Sequence, residues 1–142
     1  MKIITMKSSG DSTSVSFMSG DEINTFEQTH NRKDRPNWEI FLNNVGYKKF
    51  FVLEEIDLFA FSNNQKSFTA TRSIATYLKG ISTALIKPLM VIDDPDSELG
   101  SEDIAKLAKF EFQKCNCDAS QFKPEDANPS YPQPINYKKT NE

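Results

Sequence analysis

Few residues in this chain have side chains suited to metal binding or nucleophilic chemistry. It has one histidine, His30, and two cysteines, Cys115 and Cys117. A structural zinc site takes four Cys or His ligands, and one chain offers at most these three. Cysteines separated by one residue do not form a disulfide easily, because bridged Cα atoms prefer a separation of about 5.5–6 Å. The sequence therefore predicts reduced thiols, no metal site and no cofactor.

Sequence motifs for catalysis and phosphate binding are missing. The five glycines do not form a G-x-x-x-x-G-K-[ST] or a G-x-G-x-x-G pattern, and no G-x-S-x-G nucleophile elbow is present. We therefore predict no catalytic residues and no enzymatic activity. One alternative stays open. Glu54 and Glu55 interrupt an apolar stretch, and a carboxylate-dependent enzyme would need one of them buried beside a cleft.

A second acidic group forms the turn at residues 93–98. Oxygen-rich turns can hold calcium, but this one lacks the glycine and the terminal glutamate that an EF-hand loop requires at fixed positions. We interpret it as a solvated turn.

Five basic residues lie close to aromatic residues in the first third of the chain and form a candidate nucleic-acid patch. The chain as a whole has 17 basic and 20 acidic residues, a net charge of -3, which disfavours a general nucleic-acid coat. A local patch could still neutralise phosphates. A small nucleic-acid-binding regulator is therefore our alternative function. The patch consists of Arg32, Lys33, Arg35, Lys48 and Lys49, with Trp38 and Tyr47 between them.

Hydrophobic periodicity predicts the elements of the first half. Two short strands surround a Ser/Gly/Asp turn before residue 19. The spacing of Ser19 and Glu22 matches a capping box and predicts a helix near residues 20–30. A second helix begins near Pro36, because the apolar residues from Trp38 to Val45 recur at helical spacing. Alternation in the same segment leaves a strand as the other interpretation.

The hydrophobic pattern of residues 47–114 predicts an antiparallel sheet with helices on one of its faces. Apolar runs at 47–53 and 56–61 and alternation at 66–71 are typical of strands. Helical periodicity begins at Ser73, and residues 89–92 read as a further strand. A last helix extends from Ser101 to Lys114, with acidic residues in its first turn.

The last 25 residues differ from the rest. Residues 118–142 hold four of the seven prolines, which resist helix and sheet alike. Extended segments with a few apolar anchors dock into grooves or add to sheet edges of other proteins. The candidate partner-binding residues are Phe122, Tyr131, Ile135 and Tyr137.

Length and composition set the overall organisation. The 142 residues are 37% hydrophobic and 11% aromatic, with no apolar run long enough to span a membrane. The apolar stretch at the start is too short for a signal peptide. We predict an α+β fold in which residues 1–117 form one domain, with a small antiparallel sheet packed by two to four helices. Residues 118–142 form an extended proline-rich C-terminal arm.

The leading functional hypothesis is a non-catalytic protein-binding or assembly protein. It would be a subunit of a larger complex, or a phage-type structural or inhibitory protein, which contacts other chains in a homo- or hetero-oligomer partly through its arm. The missing catalytic motifs, the acidic balance and the anchors in the arm support it. The phage source is a guess from the Asn/Lys/Ile/Phe-rich composition. The expected location is the cytoplasm or an assembled particle.

Overall fold

The structure, a computed structural model, describes residues 1–32, 34, 36–63 and 67–129. A five-stranded sheet has α-helices on both faces, so the predicted α+β class is confirmed. No helix in these ranges is long and apolar enough to cross a membrane. The strands are β1 (Lys2–Ser8), β2 (Ser12–Ser19), β3 (Glu22–Thr29), β4 (Leu58–Asn63) and β5 (Leu89–Asp93). The helices are α1 (Trp38–Asn44), α2 (Phe68–Leu85) and α3 (Ser101–Lys114).

The sheet is mixed, with the order β3-β2-β1-β4-β5. β1 pairs antiparallel with β2, and β2 with β3, whereas β4 runs parallel to both β1 and β5. The prediction of an antiparallel sheet over residues 47–71 is therefore wrong. Every residue of β4 is buried, as expected for a parallel strand that lies inside a sheet with both faces covered. Within the predicted strand at 47–53, residues 47–52 form a loop with a single bridge between Tyr47 and Phe51, and Leu53 begins a short 3₁₀ turn.

The predicted helix near residues 20–30 is a strand. Ile23 and Phe26 are half-buried and the other residues of β3 are exposed, which imitates the spacing of a helix with one short apolar face. All eight residues of β3 pair with β2, from Ser12 opposite Thr29 to Ser19 opposite Glu22. Because β3 is an edge strand with little buried surface, it lacks the alternation that identifies most strands.

Helix α2 begins five residues before the predicted start at Ser73, so the predicted strand at 66–71 is wrong over residues 67–71, and residue 66 lies outside the described residues. Ser67 is the N-cap, and its Oγ accepts a hydrogen bond from the Ala70 amide at 3.4 Å. This cap outweighs the alternating pattern that follows it. The predictions of α1, β5 and α3 are confirmed, and α3 has the predicted bounds.

The two faces of the sheet carry separate hydrophobic cores. Ile4 and Phe59 point toward α1 and α2, and their neighbours Ile3 and Leu58 point toward α3. The helices that start near Ser73 and at Ser101 therefore lie on opposite faces and not on one face as predicted. A central strand that is apolar on both sides requires this arrangement.

Residues 118–129 pack against the body and do not extend from it. They form two short 3₁₀ turns, at Ala119–Gln121 and Pro124–Asp126. Between the turns, the carbonyl of Phe122 accepts a hydrogen bond from the Leu89 amide on β5 at 2.9 Å. Ala127 is buried in the α1–α2 core. The rest of the predicted arm, residues 130–142, lies outside the described residues. An extended conformation of residues 130–142 and a domain boundary at residue 117 therefore stay predictions.

Candidate functional site

A cleft of about 1050 Å³ opens at the end of β1, where Ser8 lines it. We call it the basic cleft. The turn after β1, the end of β3, the segment that leads to α1 and the first half of α2 form its walls. The lining residues used below are Ser8, His30, Arg32, Trp38, Arg72 and Tyr77.

Helix α2 presents polar side chains to this cleft at regular intervals. Thr69, Arg72 and Thr76 recur at intervals of three and four residues, the spacing that places side chains on one face of a helix. Ser67, the N-cap, also lines the cleft. The N-terminal end of α2 therefore contributes its positive dipole and hydroxyl donors to the same space.

Arg32 and Arg72 provide the positive charge of the basic cleft. Both are exposed, and within the part of the chain that the structure describes neither forms a hydrogen bond or an ion pair. Asp34 is the only carboxylate among the described lining residues. With a neutral His30, two guanidinium groups and one carboxylate leave a formal charge of +1. The cleft therefore has guanidinium groups that are available to a ligand.

Gly10 allows Arg32 to approach the turn after β1. Its φ of +102° lies in the region that favours glycine. A Cβ at this position would lie 2.5 Å from Arg32 Nη1 and 3.1 Å from Ser67 Oγ. A side chain at residue 10 would therefore displace the guanidinium group.

Two aromatic rings form one wall of the basic cleft. The rings of Trp38 and Tyr77 stack with their centroids 5.1 Å apart and an angle of 21° between their planes. Both side chains are half-buried, so part of each ring faces solvent. Burial raises the pKa of Tyr77 above its ordinary value, and the charges of Tyr47 and Glu39 act in the same direction. The Tyr77 hydroxyl therefore stays protonated at neutral pH and can donate a hydrogen bond.

His30 lies at the edge of the basic cleft with both ring nitrogens in hydrogen bonds. Its Nδ1 is 2.8 Å from the carbonyl oxygen of Asn31, and its Nε2 is 2.7 Å from Thr13 Oγ1. Thr13 Oγ1 lies 2.9 Å from Ser8 Oγ, which accepts a hydrogen bond from the Gly10 amide at 3.1 Å. A continuous chain of polar groups thus joins the imidazole to the end of β1.

The structure divides the predicted nucleic-acid patch between two places. Arg32 lines the basic cleft, whereas Lys48 and Lys49 lie in the loop after α1 and are not among the described lining residues. Lys48 Nζ is 5.4 Å from the ring centroid of Tyr47, and Lys49 Nζ is 6.0 Å from that of Phe50. The other two members, Lys33 and Arg35, lie outside the described residues.

The predicted carboxylate site is exposed and not buried. Glu54 and Glu55 belong to a short 3₁₀ turn, Leu53–Glu55, and both are exposed. A hydrogen bond from Lys2 Nζ, 3.2 Å from Glu55 Oε1, lowers the pKa of Glu55, with help from the Val52 amide. A general acid needs a raised pKa. The alternative of a carboxylate-dependent enzyme therefore lacks the buried carboxylate that it requires at Glu54 or Glu55.

In the acidic turn, Asp94 has a structural role. It is 5% exposed, and its two oxygens accept hydrogen bonds from the amides of Glu98 and Leu99 at 2.9 and 3.0 Å. Lys7 Nζ lies 3.6 Å from its Oδ2. The interpretation of a wholly solvated turn is thus wrong for Asp94.

The remaining candidates lie on the α3 side. Cys115 and Cys117 are both free thiols, and Cys115 Sγ donates a hydrogen bond to the Phe112 carbonyl at 3.3 Å. The ring of Phe122, a predicted partner-binding anchor, packs on Phe112 at 5.9 Å and is half-buried within the chain itself. The other three anchors, Tyr131, Ile135 and Tyr137, lie outside the described residues.

Sequence reasoning missed three lining residues: Ser8, Arg72 and Tyr77. Arg72 and Tyr77 have a sequence signal, because the serine at 67 is a good cap and polar residues follow at helical spacing from Thr69 to Thr76. Ser8 has none that we recognise, since only the parallel pairing of β1 with β4 brings it to the cleft.

No protein-family model and no curated protein sequence matches the chain. Its fold is similar to that of solved structures. One is YeaZ from Pseudomonas aeruginosa, with a TM-score of 0.60 and 16% sequence identity over 81% of this chain and 50% of the other. Another, described as an uncharacterized protein with similarity to peptidase YEAZ from Pseudomonas aeruginosa, has a TM-score of 0.59 and 16% identity over 81% of this chain and 49% of the other. The chain spans about half the length of each.

These fold neighbours overturn the functional prediction. The assembly-protein or phage-type hypothesis, with the nucleic-acid regulator as its alternative, is wrong, because solved structures that share this fold include YeaZ and a protein similar to peptidase YEAZ. The physical reason for the error is that the hypothesis relied on missing motifs. The basic cleft is assembled from separate segments that no local motif marks.

Proposed function

We propose that this chain binds a small anionic ligand that carries a planar group, and that the basic cleft is its binding site. The observation that carries the proposal is the pair Arg32 and Arg72, which line one cleft and have no ion-pair partner within the described ranges. A guanidinium group has five N–H donors in a planar fork, which matches the oxygens of carboxylate, sulfonate and phosphate groups.

The position of the cleft in the sheet supports binding. From β1 the chain continues to β2 on one side, and from β4 it continues to β5 on the other, so the strand order reverses between β1 and β4. In open sheets with parallel strands, ligands bind outside the carboxyl ends of the strands at such a reversal. Ser8 ends β1, and the basic cleft opens there.

The aromatic wall supports a planar group on the ligand. Trp38 and Tyr77 both line the cleft and stack on each other, so they offer a half-exposed apolar surface close to the arginines. A flat ring that packs on this surface would bury apolar area, while its anionic substituent contacts a guanidinium group.

We do not extend the proposal to the peptidase activity named in the description of one fold neighbour. A hydroxyl nucleophile needs a base within about 2.6–3.2 Å and an open path to substrate. The hydroxyl in contact with His30 belongs to Thr13, whose side chain is 0% exposed. That the chain is not an enzyme stays a prediction, as does its lack of a cofactor.

For the location in the cell, we propose the cytoplasm. The two cysteines are free thiols, which is typical of reducing compartments. Labelling of the thiols in intact cells with a membrane-permeant and an impermeant reagent would separate this location from an oxidising one.

Benzenesulfonate is a suitable probe for the basic cleft, because it combines a planar ring with a group that stays ionised across the working pH range. Trp38 is the only tryptophan in the chain, so its fluorescence reports the cleft directly. We expect saturable quenching by benzenesulfonate, and weaker binding of methanesulfonate, which lacks the ring. Benzyltrimethylammonium, a cation that carries the same planar ring, should not bind at the same concentrations.

The variants Arg72→Gln and Arg32→Gln should each weaken benzenesulfonate binding about ten- to a hundredfold, because each removes a charge-assisted hydrogen bond worth about 1.5–3 kcal/mol. Lys106→Gln removes an exposed positive charge on α3 and is the matched control, with no expected change. Equal binding of the anion and the cation, or equal effects of Lys106→Gln and Arg72→Gln, would contradict the proposal.

A further inference from the structure

Four exposed side chains form a stripe along the outer side of α3. They recur at intervals of four, three and four residues, the spacing that places side chains on one face of a helix. The side of α3 that packs on the sheet carries residues such as Ile104, which is 0% exposed. The four exposed residues are Asp103, Leu107, Phe110 and Lys114, and we call them the outer stripe.

The centre of the outer stripe is apolar. Phe110 is 60% exposed and Leu107 is 39% exposed, so the two side chains offer adjoining apolar surface to solvent. Lys114 Nζ lies 5.7 Å from the centroid of the Phe110 ring and borders this surface. Because exposed apolar side chains are common on proteins, they indicate an interface only together with a feature that selects a partner.

The charges at the two ends of the outer stripe are that feature. Asp103 lies in the first turn of α3 and Lys114 ends the helix, about 16 Å away at about 1.5 Å per residue. The intervals of four, three and four residues read the same in both directions, so the two charges are equally far from the midpoint of the stripe. A second α3 that lies antiparallel on the first therefore brings opposite charges together at both ends, whereas a parallel α3 brings like charges together.

We propose that two copies of this chain associate through the outer stripe, with their α3 helices antiparallel about a two-fold axis. The same surface then serves both copies, as in an isologous interface. Leu107 and Phe110 of each copy form the apolar centre, and Asp103 of each copy faces Lys114 of the partner subunit at the polar rim. The basic cleft lies on the other face of the sheet, so association leaves it open and is independent of ligand binding.

A second exposed pair of a phenylalanine and a lysine provides a matched control. Phe50, in the loop after α1, is 64% exposed, and Lys49 Nζ lies 6.0 Å from the centroid of its ring. Lys48 and Lys49 both precede this ring, so a second copy of the same loop would meet like charges. Phe50 therefore resembles Phe110 in exposure and in its lysine neighbour but lacks the complementary charge.

Sedimentation velocity of the whole chain tests the apolar centre. Small interfaces give weak complexes, so the average mass should rise toward that of a dimer between about 5 and 500 μM. Phe110→Glu should raise the dissociation constant about tenfold or more, because it places a charge at the centre of the interface. Phe50→Glu should leave the dissociation constant unchanged. Both replaced rings are exposed, so urea denaturation should show that both variants remain folded.

The direction of packing is tested by one substitution in two backgrounds. Lys114→Glu should weaken association, because it brings two carboxylates together at each end. Asp103→Asn keeps an oxygen that can accept the hydrogen bond from the Gly100 amide, 3.1 Å long in the wild type. Alone, Asp103→Asn should weaken association about two- to fivefold, as expected for an exposed ion pair. In the Lys114→Glu background it should strengthen association, because it removes one of the two facing carboxylates.

Four outcomes would overturn the inference. The first is a chain that stays monomeric over the whole concentration range. The second is an equal effect of Phe110→Glu and Phe50→Glu, which would indicate non-specific association of exposed rings. The third is an effect of Asp103→Asn that has the same sign in both backgrounds. The fourth is a loss of stability in Phe110→Glu without a change in sedimentation, which would mean that the stripe packs within one molecule.

Discussion

The two faces of the sheet each carry a cleft, and they differ in how their charged groups are paired. On the α3 face, a cleft of about 360 Å³ is rich in hydroxyl groups, and we call it the hydroxyl cleft. Its lining includes Lys7, Ser12, Thr25, Glu27, Glu102 and Asp103. The basic cleft lies on the other face, as expected from the alternation of side chains along β1, where Lys7 and Ser8 point to opposite sides.

In the hydroxyl cleft, charged side chains are held by neighbours within the chain. Ser12 donates to Glu27 at 2.8 Å, and Thr25 donates to Glu102 at 3.0 Å. Lys7 lies 3.6 Å from Asp94 and donates to the carbonyls of Ser97 and Leu99.

The arginines of the basic cleft have no such partners among the described residues. Charges paired within the chain stabilise the fold, whereas unpaired charges in a cleft are available to a ligand. The difference therefore separates a structural cleft from a candidate binding site, although both are polar.

The largest expected effect tests the structural side of this comparison. Asp94→Ala removes the ion-pair partner of Lys7 and the acceptor of two backbone amides, so the free energy of unfolding should fall by about 3–5 kcal/mol. Urea denaturation measures it. Asp96→Ala, an exposed aspartate of the same turn, is the control and should change stability by less than about 0.5 kcal/mol. Equal effects of the two variants would mean that the ion pair of Lys7 and Asp94 does not stabilise the fold.

A smaller effect of opposite sign tests whether stability and binding are separate on the α2 face. Ile86 caps α2 at the end away from the cleft, with a φ of 58° and 89% of its surface exposed. A β-branched residue is strained in this conformation. Ile86→Gly should raise the free energy of unfolding by about 0.5–1 kcal/mol, because relief of strain exceeds the added entropy of the unfolded chain.

The control for this variant is Ile86→Ala, which keeps a Cβ and should gain little stability. Benzenesulfonate affinity should be the same in both variants as in the wild type. A gain in stability that is accompanied by a change in affinity would contradict the separation of the two properties.

The smallest effect concerns the segment that joins the two faces. Hydrogen bonds from the Ser120 side chain, the Gln121 side chain and the Ser120 amide lower the pKa of Asp118 from its ordinary value of 3.8. A carboxyl whose pKa is lower in the folded state adds stability above its ordinary value, and this is lost as pH falls below it. The stability advantage of the wild type over Asp118→Ala should therefore shrink in urea denaturation as pH drops from 5 to below 3.

Asp118→Asn is the control for this small effect, because asparagine keeps an acceptor oxygen but does not titrate. Its stability relative to Asp118→Ala should not vary with pH. A constant difference between the wild type and Asp118→Ala would rule out the proposed linkage.

Local signals were sufficient for some elements and not for others. The bounds of α3 follow from the acidic residues of its first turn and its periodic apolar face, and α1 follows from Pro36 and the spacing of Trp38 and Phe41. β3 was missed because an edge strand has little buried surface. The sheet order could not be predicted, because β1 and β4 are far apart in sequence and no local property records parallel pairing.

The same limit applies to the basic cleft. Arg32 belongs to the predicted basic patch, whereas Arg72 has no other basic residue within five positions in the sequence and was not predicted as a site residue. Only the fold places them in one cleft, since they come from segments on either side of β4. Among the described residues, the two arginines have no ion-pair partner, and only the three-dimensional structure shows this.

The pairing of β1 with β4 also has a consequence for synthesis of the chain. Ile3 on β1 lies opposite Leu58 on β4, 55 positions later. Since ribosomes add about 5–20 residues per second, the meander of β1, β2 and β3 leaves the ribosome several seconds before its parallel partner. During that interval the apolar faces of β1, with Ile3 and Ile4 on opposite sides, lack the strand that later borders them and the helices that later cover them. Until β4 has been synthesised, the nascent meander therefore exposes the apolar side chains that the finished sheet buries.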